Sequence, residues 1–302
     1  MPCEFSTAFA GMAASSLAYN SRMETKLSLP GVTLISVSAV EIEKTLAALK
    51  ISSEHIAFGA VKLLSPTRPA SLPPTIEHVL IPPIDFLGYS RFIIRHLHEH
   101  VDTEHCLIIQ ADGFVINPRL WRDEFLAFDY VGAPWPERVA LRFGDEKWFY
   151  LGKNRVGNGG FSLRSRKLLQ RTAKIDFDRL PFPLKSEDLV ICHYLYEEML
   201  DSGIAFAPIE LAQKFAIESP PAQYRQELES VFGFHGKHWL RRHLLRRFAE
   251  GSDLRQDFDS LLLEPTPPRI AANPPVQAGS SRLAPCTCGS GKRFKDCHGR
   301  LS

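Results

Sequence analysis

Three thiols and one imidazole crowd the end of the chain in a fixed spacing. Cys286 and Cys288 are separated by one residue, eight residues follow, and then Cys297 and His298 are adjacent. Three thiolates and an imidazole make a closed tetrahedral zinc set, and Gly289 and Gly291 allow the tight turn that brings the two pairs together. So short a segment has no core, so the metal would supply its folding free energy. A second candidate is the run LIIQADGFV, residues 107–115. It opens as an apolar strand and sets Gln110 and Asp112 beside a glycine where the strand ends. If the strand is buried and parallel, alternation puts Gln110 and Asp112 on one face at the carboxyl edge, where ligands of open α/β sheets bind. Asp112 could then reach a metal or a sugar hydroxyl. The plainer alternative is an Asp-Gly turn closing a strand.

Three further clusters carry usable chemistry. GNGGFSLRS sets Gly157, Gly159 and Gly160 ahead of a short strand, which lets backbone approach a ligand closely, with Ser162 and Arg164 available to hydroxyls or phosphate; a hairpin turn explains the glycines equally well. SEDLVICHY places Glu187 and Asp188 in the first turn of a helix, where the helix dipole favours anions, and either carboxylate could also deprotonate a hydroxyl. FGFHGKHW offers His235 between glycine and aromatics, with Lys237 two residues on. HLHEH sets His96 and His100 one helical turn apart with Glu99 between, but in an order reversed from that of a metalloprotease and on a helix that must pack on the sheet, so it reads as a decoy and not as a metal site. Cys106 and Cys192 sit in apolar runs and read as buried core thiols, whereas Cys3 stands alone near the start.

The elements that must position these residues alternate along the chain. GVTLISVSA reads as a first buried strand, VEIEKTLAALKISSEHI as a helix with Ile42, Leu46 and Leu49 on one face, and FGAVKLLS as a second strand. HVLIPPI is a third strand stopped by Pro82 and Pro83, GYSRFIIRHLHEHV a helix capped by Ser90, and residues 107–115 the fourth strand. Further on, Ser186 caps a helix ended by Gly203, IAFAPIELAQKFAIE reads as turn and strand, and KHWLRRHLLRR as a basic helix with Leu240, Leu244 and Leu245 inward. Alternation of this kind marks an α/β domain with a mostly parallel, doubly wound sheet. The expected organisation is a poorly ordered segment 1–28, a domain 29–250, a proline-rich linker 251–284 and a tiny zinc module 285–302.

Composition narrows the function further. The chain has 302 residues and a formal charge of only +2, which gives no global argument for nucleic acid or an anionic membrane. No apolar run reaches bilayer length, so no transmembrane segment is expected. The first residues carry neither a basic leader nor an apolar block, and the reading is cytoplasmic.

The tail CTCGSGKRFKDCHG closely resembles the SEC-C motif, which implies structural zinc on Cys286, Cys288, Cys297 and His298 and contact with a protein partner. The order of the other blocks, LIIQADGFV, YVGAPW, VGNGGFSLRS, EDLVICHYL and FGFHG, resembles GT-A glycosyltransferases, and within that clan an uncharacterised family, over residues 29–240. The resemblance implies a nucleotide-sugar donor, an unidentified hydroxyl acceptor, and Mn²⁺ or Mg²⁺ held by Asp112 and His235. Gln110 stands where the first acid of an Asp-x-Asp pair would be. By the same resemblance Asp188 or Glu187 is the base, Gly159, Gly160 and Phe161 shape the pocket, and Ser36 and Val37 face the nucleotide base. Trp135 could stack on an acceptor sugar, though a core or surface tryptophan is the plainer reading. A second reading is an inactive GT-A-like module that acts through its zinc tail on another protein, the ribosome or the translocation machinery.

Overall fold

The computed structural model describes residues 26–139, 149–150, 154–220 and 225–249. The expectations for the first 25 residues, the linker and the zinc tail lie outside them. In chain order the elements are β1 (Leu27–Val37), α1 (Ile42–Glu54), β2 (Ile56–Ser65), β3 (Glu77–Leu80), α2 (Phe86–Arg95), β4 (His105–Ile109) and β5 (Tyr130–Val131). Four two-residue strands follow, β6 (Ala133–Pro134), β7 (Arg138–Val139), β8 (Phe149–Tyr150) and β9 (Val156–Gly157), and then β10 (Phe161–Ser165) and α3 (Arg166–Thr172). The chain continues through α4 (Glu187–Leu189), α5 (Tyr196–Asp201), α6 (Ile209–Phe215), β11 (Ala216–Ile217), β12 (Gly233–Phe234) and α7 (Lys237–Ala249).

Six strands form the main sheet in the order β3-β2-β1-β4-β10-β5. The first four are mutually parallel, and β10 runs antiparallel to both β4 and β5. Both faces are covered, which is why β1 and β4 are apolar at consecutive positions instead of alternate ones. Leu34, Leu107 and Ile109 face α1, α6 and α7 through Leu46, Leu49, Phe215 and Leu244. Ile35, Val37, Cys106 and Ile108 face α2 through Ile93 and, just beyond it, Leu97. A third cluster binds α3 to the helical stretch after Glu187 through Leu168, Val190, Ile191 and Met199. This is the mostly parallel, doubly wound α/β class. The order turns around at β1: β2 and β3 lie to one side of it and β4 to the other, so a crevice opens between the carboxyl ends of β1 and β4.

Several elements differ from the sequence expectation for identifiable reasons. The cap of α2 is Asp85, whose side chain accepts from Gly88 N at 2.7 Å; Ser90 is buried inside the helix. Ile209–Phe215 is helix α6 and not part of a strand, with Leu211, Ala212 and Phe215 inward at helical spacing. The helix expected from Ser186 to Gly203 is three pieces. Between α4 and α5 the turn widens over Val190–Tyr194, with Leu195 N bonded to Val190 O five residues back at 3.0 Å. Among the described residues no helix is long and apolar enough to cross a membrane.

On α7 the expected inward stripe is split. Leu240 and Leu244 are buried, but Leu245 is 62% exposed because it falls 100° around the helix from Leu244. Leu244→Ala is therefore expected to cost ~2–4 kcal/mol and Leu245→Ala less than ~0.5 kcal/mol in urea unfolding. Equal losses would mean that α7 packs by another face.

Candidate functional site

A cleft of about 530 Å³ lies at the crevice between β1 and β4. Its walls come from segments far apart in sequence: Val37–Glu41 after β1, Ile84–Ser90 around the start of α2, Gln110–Asp112 after β4, Gly159–Gly160 before β10, Ser186–Asp188, and His235.

Asp112 reaches the cleft by a turn. β4 stops at Ile109, and Gln110 and Gly113 exchange both backbone hydrogen bonds at 3.1 Å, so the chain reverses at once. Gln110 and Asp112 therefore do not share a strand face by alternation; the reversal brings both to His235. His235 Nε2 lies 3.2 Å from Gln110 Oε1 and 3.5 Å from Asp112 Oδ1, and its Nδ1 lies 2.8 Å from Glu218 Oε1. Gln110 in turn donates to the Tyr89 hydroxyl at 2.8 Å. Burial would depress the His235 imidazole, but the carboxylates of Asp112 and Glu218 outweigh it and push its pKa up to about 10. Burial alone would raise Asp112; hydrogen bonding to His235 and the charges of His235 and Lys237 hold its carboxyl below the ordinary range.

The glycine loop makes the other wall. A side chain on Gly160 would meet His235 Nε2 at 2.0 Å, and one on Gly159 would meet Glu187 Oε1 at 1.8 Å, so only bare backbone fits at either position. Asn158 before them has φ of 76°, a left-handed conformation that asparagine tolerates better than most, and its Oδ1 accepts from Gly160 N at 3.0 Å. Gly159 N donates to Asp188 Oδ2 at 3.0 Å. The other Asp188 oxygen accepts from Leu189 N at 2.8 Å and from the Ser186 hydroxyl, so Ser186 serves Asp188 and does not cap α4.

Glu187 and Asp188 are adjacent but differently placed. Glu187 is 3% exposed and paired at 2.8 Å with Arg164, which is fully buried. Burial pushes the Glu187 carboxyl up and Arg164 pulls it back; burial likewise opposes the Arg164 charge while Glu187 sustains it. Glu187 lines the cleft with Arg164 buried behind it; Nη2 of Arg164 takes Glu187, while its buried Nη1 has no hydrogen-bond partner among the described residues. Ser162 is also buried, within 3.1 Å of Arg164 Nε. Ser36 is buried with its hydroxyl on Ile109 O at 2.6 Å, and it is Val37 and the residues after it that line the cleft. Phe161 is core, packed on Phe215 and Phe232. Trp135 is buried against Gly157 and donates to Glu218 Oε2 at 3.2 Å, with no face left for a sugar. His96 pairs with Glu99 at 3.0 Å and His100 stacks on Phe92, away from the cleft.

Charge decides what the cleft can accommodate. Among the described residues its lining holds five carboxylates, Glu41, Asp85, Asp112, Glu187 and Asp188, and one basic side chain, His235. Arg164 offsets Glu187 and Lys44, at 3.3 Å, offsets Glu41, which leaves an excess of negative charge facing any anion. That donor set fits a divalent cation: the Asp112 carboxylate, the His235 imidazole and the Gln110 amide oxygen converge, and a carboxylate backs the imidazole from behind. Among the described residues no three His, Cys, Asp or Glu side chains converge on one point, so protein donors alone are few.

Sequence reasoning passed over Glu218 and Trp135 in this role. A model of the family described as a protein of unknown function (DUF5672) matches residues 85–235, half of the chain and every segment of the cleft except the end of β1, and a SEC-C motif model matches residues 284–300, which include the four candidate zinc ligands. Among curated proteins there is no match. Among solved structures the chain is similar to galactosyltransferase LgtC in complex with donor and acceptor sugar analogues, at 14% identity and a TM-score of 0.39 over 68% of this chain and 87% of that one. It is also similar to a glycosyltransferase involved in the glycosylation of the major capsid of PBCV-1, at 12% identity and a TM-score of 0.38 over 70% and 98%.

The buried pair under the cleft yields a stability prediction. Arg164→Met leaves Glu187 without its counter-charge and is expected to cost ~3–5 kcal/mol, while Arg164→Met with Glu187→Leu recovers much of the loss. Urea titrations of the single and double variants check it; equal losses would mean that the pair is not coupled.

Proposed function

This chain belongs to the DUF5672 family, described only as a protein of unknown function, and we propose that its cleft binds a nucleotide-sugar and transfers the sugar, of hexose type, to a hydroxyl of an acceptor. The observation that carries the reading is convergence. Asp112, His235, the Gly159–Gly160 backbone and Asp188 come from four separate segments and line one cavity at the reversal point of a parallel sheet, where such sheets bind nucleotides.

Each group has a task in that reading. Val37 and the residues after it would face the nucleoside, and the bare backbone at Gly159 and Gly160 lets the diphosphate and sugar pass close to the sheet. Asp112 and His235, with Gln110 beside them, would hold Mn²⁺ or Mg²⁺. When bound, the cation supplies the positive charge that a departing diphosphate requires and that the acidic cleft lacks. Asp188 Oδ2, which carries a single hydrogen bond from Gly159 N, is the oxygen with room to take the acceptor's hydroxyl proton as that oxygen attacks the anomeric carbon and the nucleoside diphosphate leaves. Glu187, committed to Arg164, holds the loop and is not the base. The reading includes zinc on Cys286, Cys288, Cys297 and His298 in the matched SEC-C tail, a protein partner for that tail, and a cytoplasmic setting that keeps its thiols reduced.

A second reading is a binding module without turnover. What favours it is Asp188, whose two oxygens already take three hydrogen bonds from Gly159, Leu189 and Ser186. A panel of nucleotide-sugars assayed for hydrolysis and transfer separates the two, since turnover excludes the module.

Metal and nucleotide should support one another, because the protein supplies few donors and the phosphates supply the rest. Mn²⁺ is expected to tighten nucleoside diphosphate binding, and the nucleotide to tighten Mn²⁺ by the same factor, with Asp112→Ala abolishing both effects in calorimetry. A protein whose melting temperature no nucleoside diphosphate moves, with or without Mn²⁺, would count against the sugar-transfer reading.

A further inference from the structure

We propose that Glu218 is the positioning residue of the cleft: it locks the His235 ring so that Nε2 is presented to Asp112 and to whatever cation joins them. The inference rests on the sugar-transfer reading for the identity of the ligand, but the geometry stands by itself. β11 and β12 are parallel and in register, Ala216 opposite Gly233 and Ile217 opposite Phe234. The next residue of each strand is therefore Glu218 and His235, and His235 N donates to Ile217 O at 2.9 Å. The side chains continue the pairing, with Glu218 Oε1 at 2.8 Å from His235 Nδ1.

Glu218 has little freedom to let go. Its second oxygen accepts from Trp135 Nε1 at 3.2 Å, and its backbone carbonyl accepts from Trp239 Nε1 at 2.6 Å. Trp135 is itself fixed, since its ring fills the space where a side chain on Gly157 would stand, 2.1 Å from the ring atoms. Two N–H donors, one from histidine and one from tryptophan, thus meet two oxygens of a single carboxylate. Acceptors face both ring nitrogens, so the metal-free ring carries hydrogen on each; a cation joining Asp112 would take the place of the Nε2 hydrogen, and Glu218 would keep the other on Nδ1. Glu218 lies on the far side of the ring from Asp112, so it cannot share the cation and acts only through His235.

The two-donor arrangement makes the isosteric variant informative. In Glu218→Gln one oxygen becomes an NH₂ group, and the amide can no longer accept from both Trp135 and His235. Adding Trp135→Phe removes the competing donor and lets the amide oxygen turn to Nδ1. With full-length protein saturated with a nucleoside diphosphate, Glu218→Gln is expected to weaken Mn²⁺ binding ~10–100-fold by electron paramagnetic resonance titration, and the double variant to regain most of it. Ring ¹⁵N shifts of His235 in the Mg²⁺-loaded protein are expected to show hydrogen on Nδ1 in the native chain and the double variant, and its loss from Nδ1 in Glu218→Gln. Wild-type Mn²⁺ affinity in Glu218→Gln, or a double variant no better than the single one, overturns the proposal. A native chain that binds no Mn²⁺ with any nucleoside diphosphate overturns the sugar-transfer reading instead; unchanged ring shifts between the metal-free native chain and Glu218→Gln would then overturn the positioning role as well.

Discussion

One imidazole held between carboxylates organises the cleft. His235 sits 2.8 Å from Glu218 and 3.5 Å from Asp112, and the backbone on either side of it is stitched to both neighbours: Gly236 N to Asp112 O, His235 N to Ile217 O, Phe234 N to Phe114 O. At these separations each charge pair gains on the order of 4 kcal/mol at an effective dielectric near 20, most of it offset by desolvation of three partly buried groups. Little net stability is left. What the trio contributes is orientation, because the same three residues cannot be rearranged without breaking hydrogen bonds that the surrounding backbone has already fixed.

Around that imidazole the loop 157–160 is built by exclusion. Three of its four residues are glycines against which a ring or a carboxylate is packed: Trp135 on Gly157, Glu187 on Gly159, His235 on Gly160. The fourth, Asn158, spends its side chain on holding the turn. Glycine costs conformational entropy on folding, so a run of this kind is retained where backbone must come closer to other groups than any side chain permits. The floor beneath is equally committed, with Arg164 and Glu187 paired out of solvent and the Tyr130 ring under the guanidinium, its centroid 5.0 Å away. The cleft therefore has a rigid wall and floor on the β10 side. Its rim near β1 and α2 is open, with Val40 and Phe86 both largely exposed beside Glu41 and Asp85.

The parallel strands, their order along the chain and the two flanking helices were legible because buried strands and amphipathic helices leave distinct periods in sequence. The grouping of carboxylate, imidazole and glycine left no such period; each block had a plainer structural reading, and only the resemblance of their order to a known family placed them together. Which residue of a strand end faces a ligand was not legible. Ser36 and Val37 are neighbours, and period-two alternation without a known register cannot say which one the cleft receives. Phe161 follows two cleft-lining glycines yet points into the core for the same reason. Arg164 left little signal: in FSLRS, Phe161 and Leu163 alternate with Ser162 and Arg164 as in a strand with one solvent face, and only burial of both faces commits Arg164 to Glu187. Glu218 left almost none. Its strand is two residues long, its partner is 17 residues away, and only the parallel register with β12 makes the two adjacent.

Gln110 looks at first like a lost acid, and the charge distribution argues otherwise. Its amide is held at both ends, the oxygen toward His235 Nε2 at 3.2 Å and the nitrogen donating to Tyr89 at 2.8 Å. A carboxylate there would accept from His235 equally well, but it would add a sixth negative charge to a lining that already holds five, and its other oxygen would need Tyr89 to turn and donate. Burial holds the Tyr89 hydroxyl proton firmly, so that donation is chemically available; the obstacle is the added charge. An amide keeps the acceptor geometry without that repulsion. Under the proposed sugar-transfer reading, the consequence would be a cation site of low charge, one that would release a divalent ion readily unless the phosphates of a substrate supplied further oxygens. On that reading Gln110 would shift the burden of holding the ion from the protein to its ligand, and so couple occupancy of the site to the presence of something anionic to act upon.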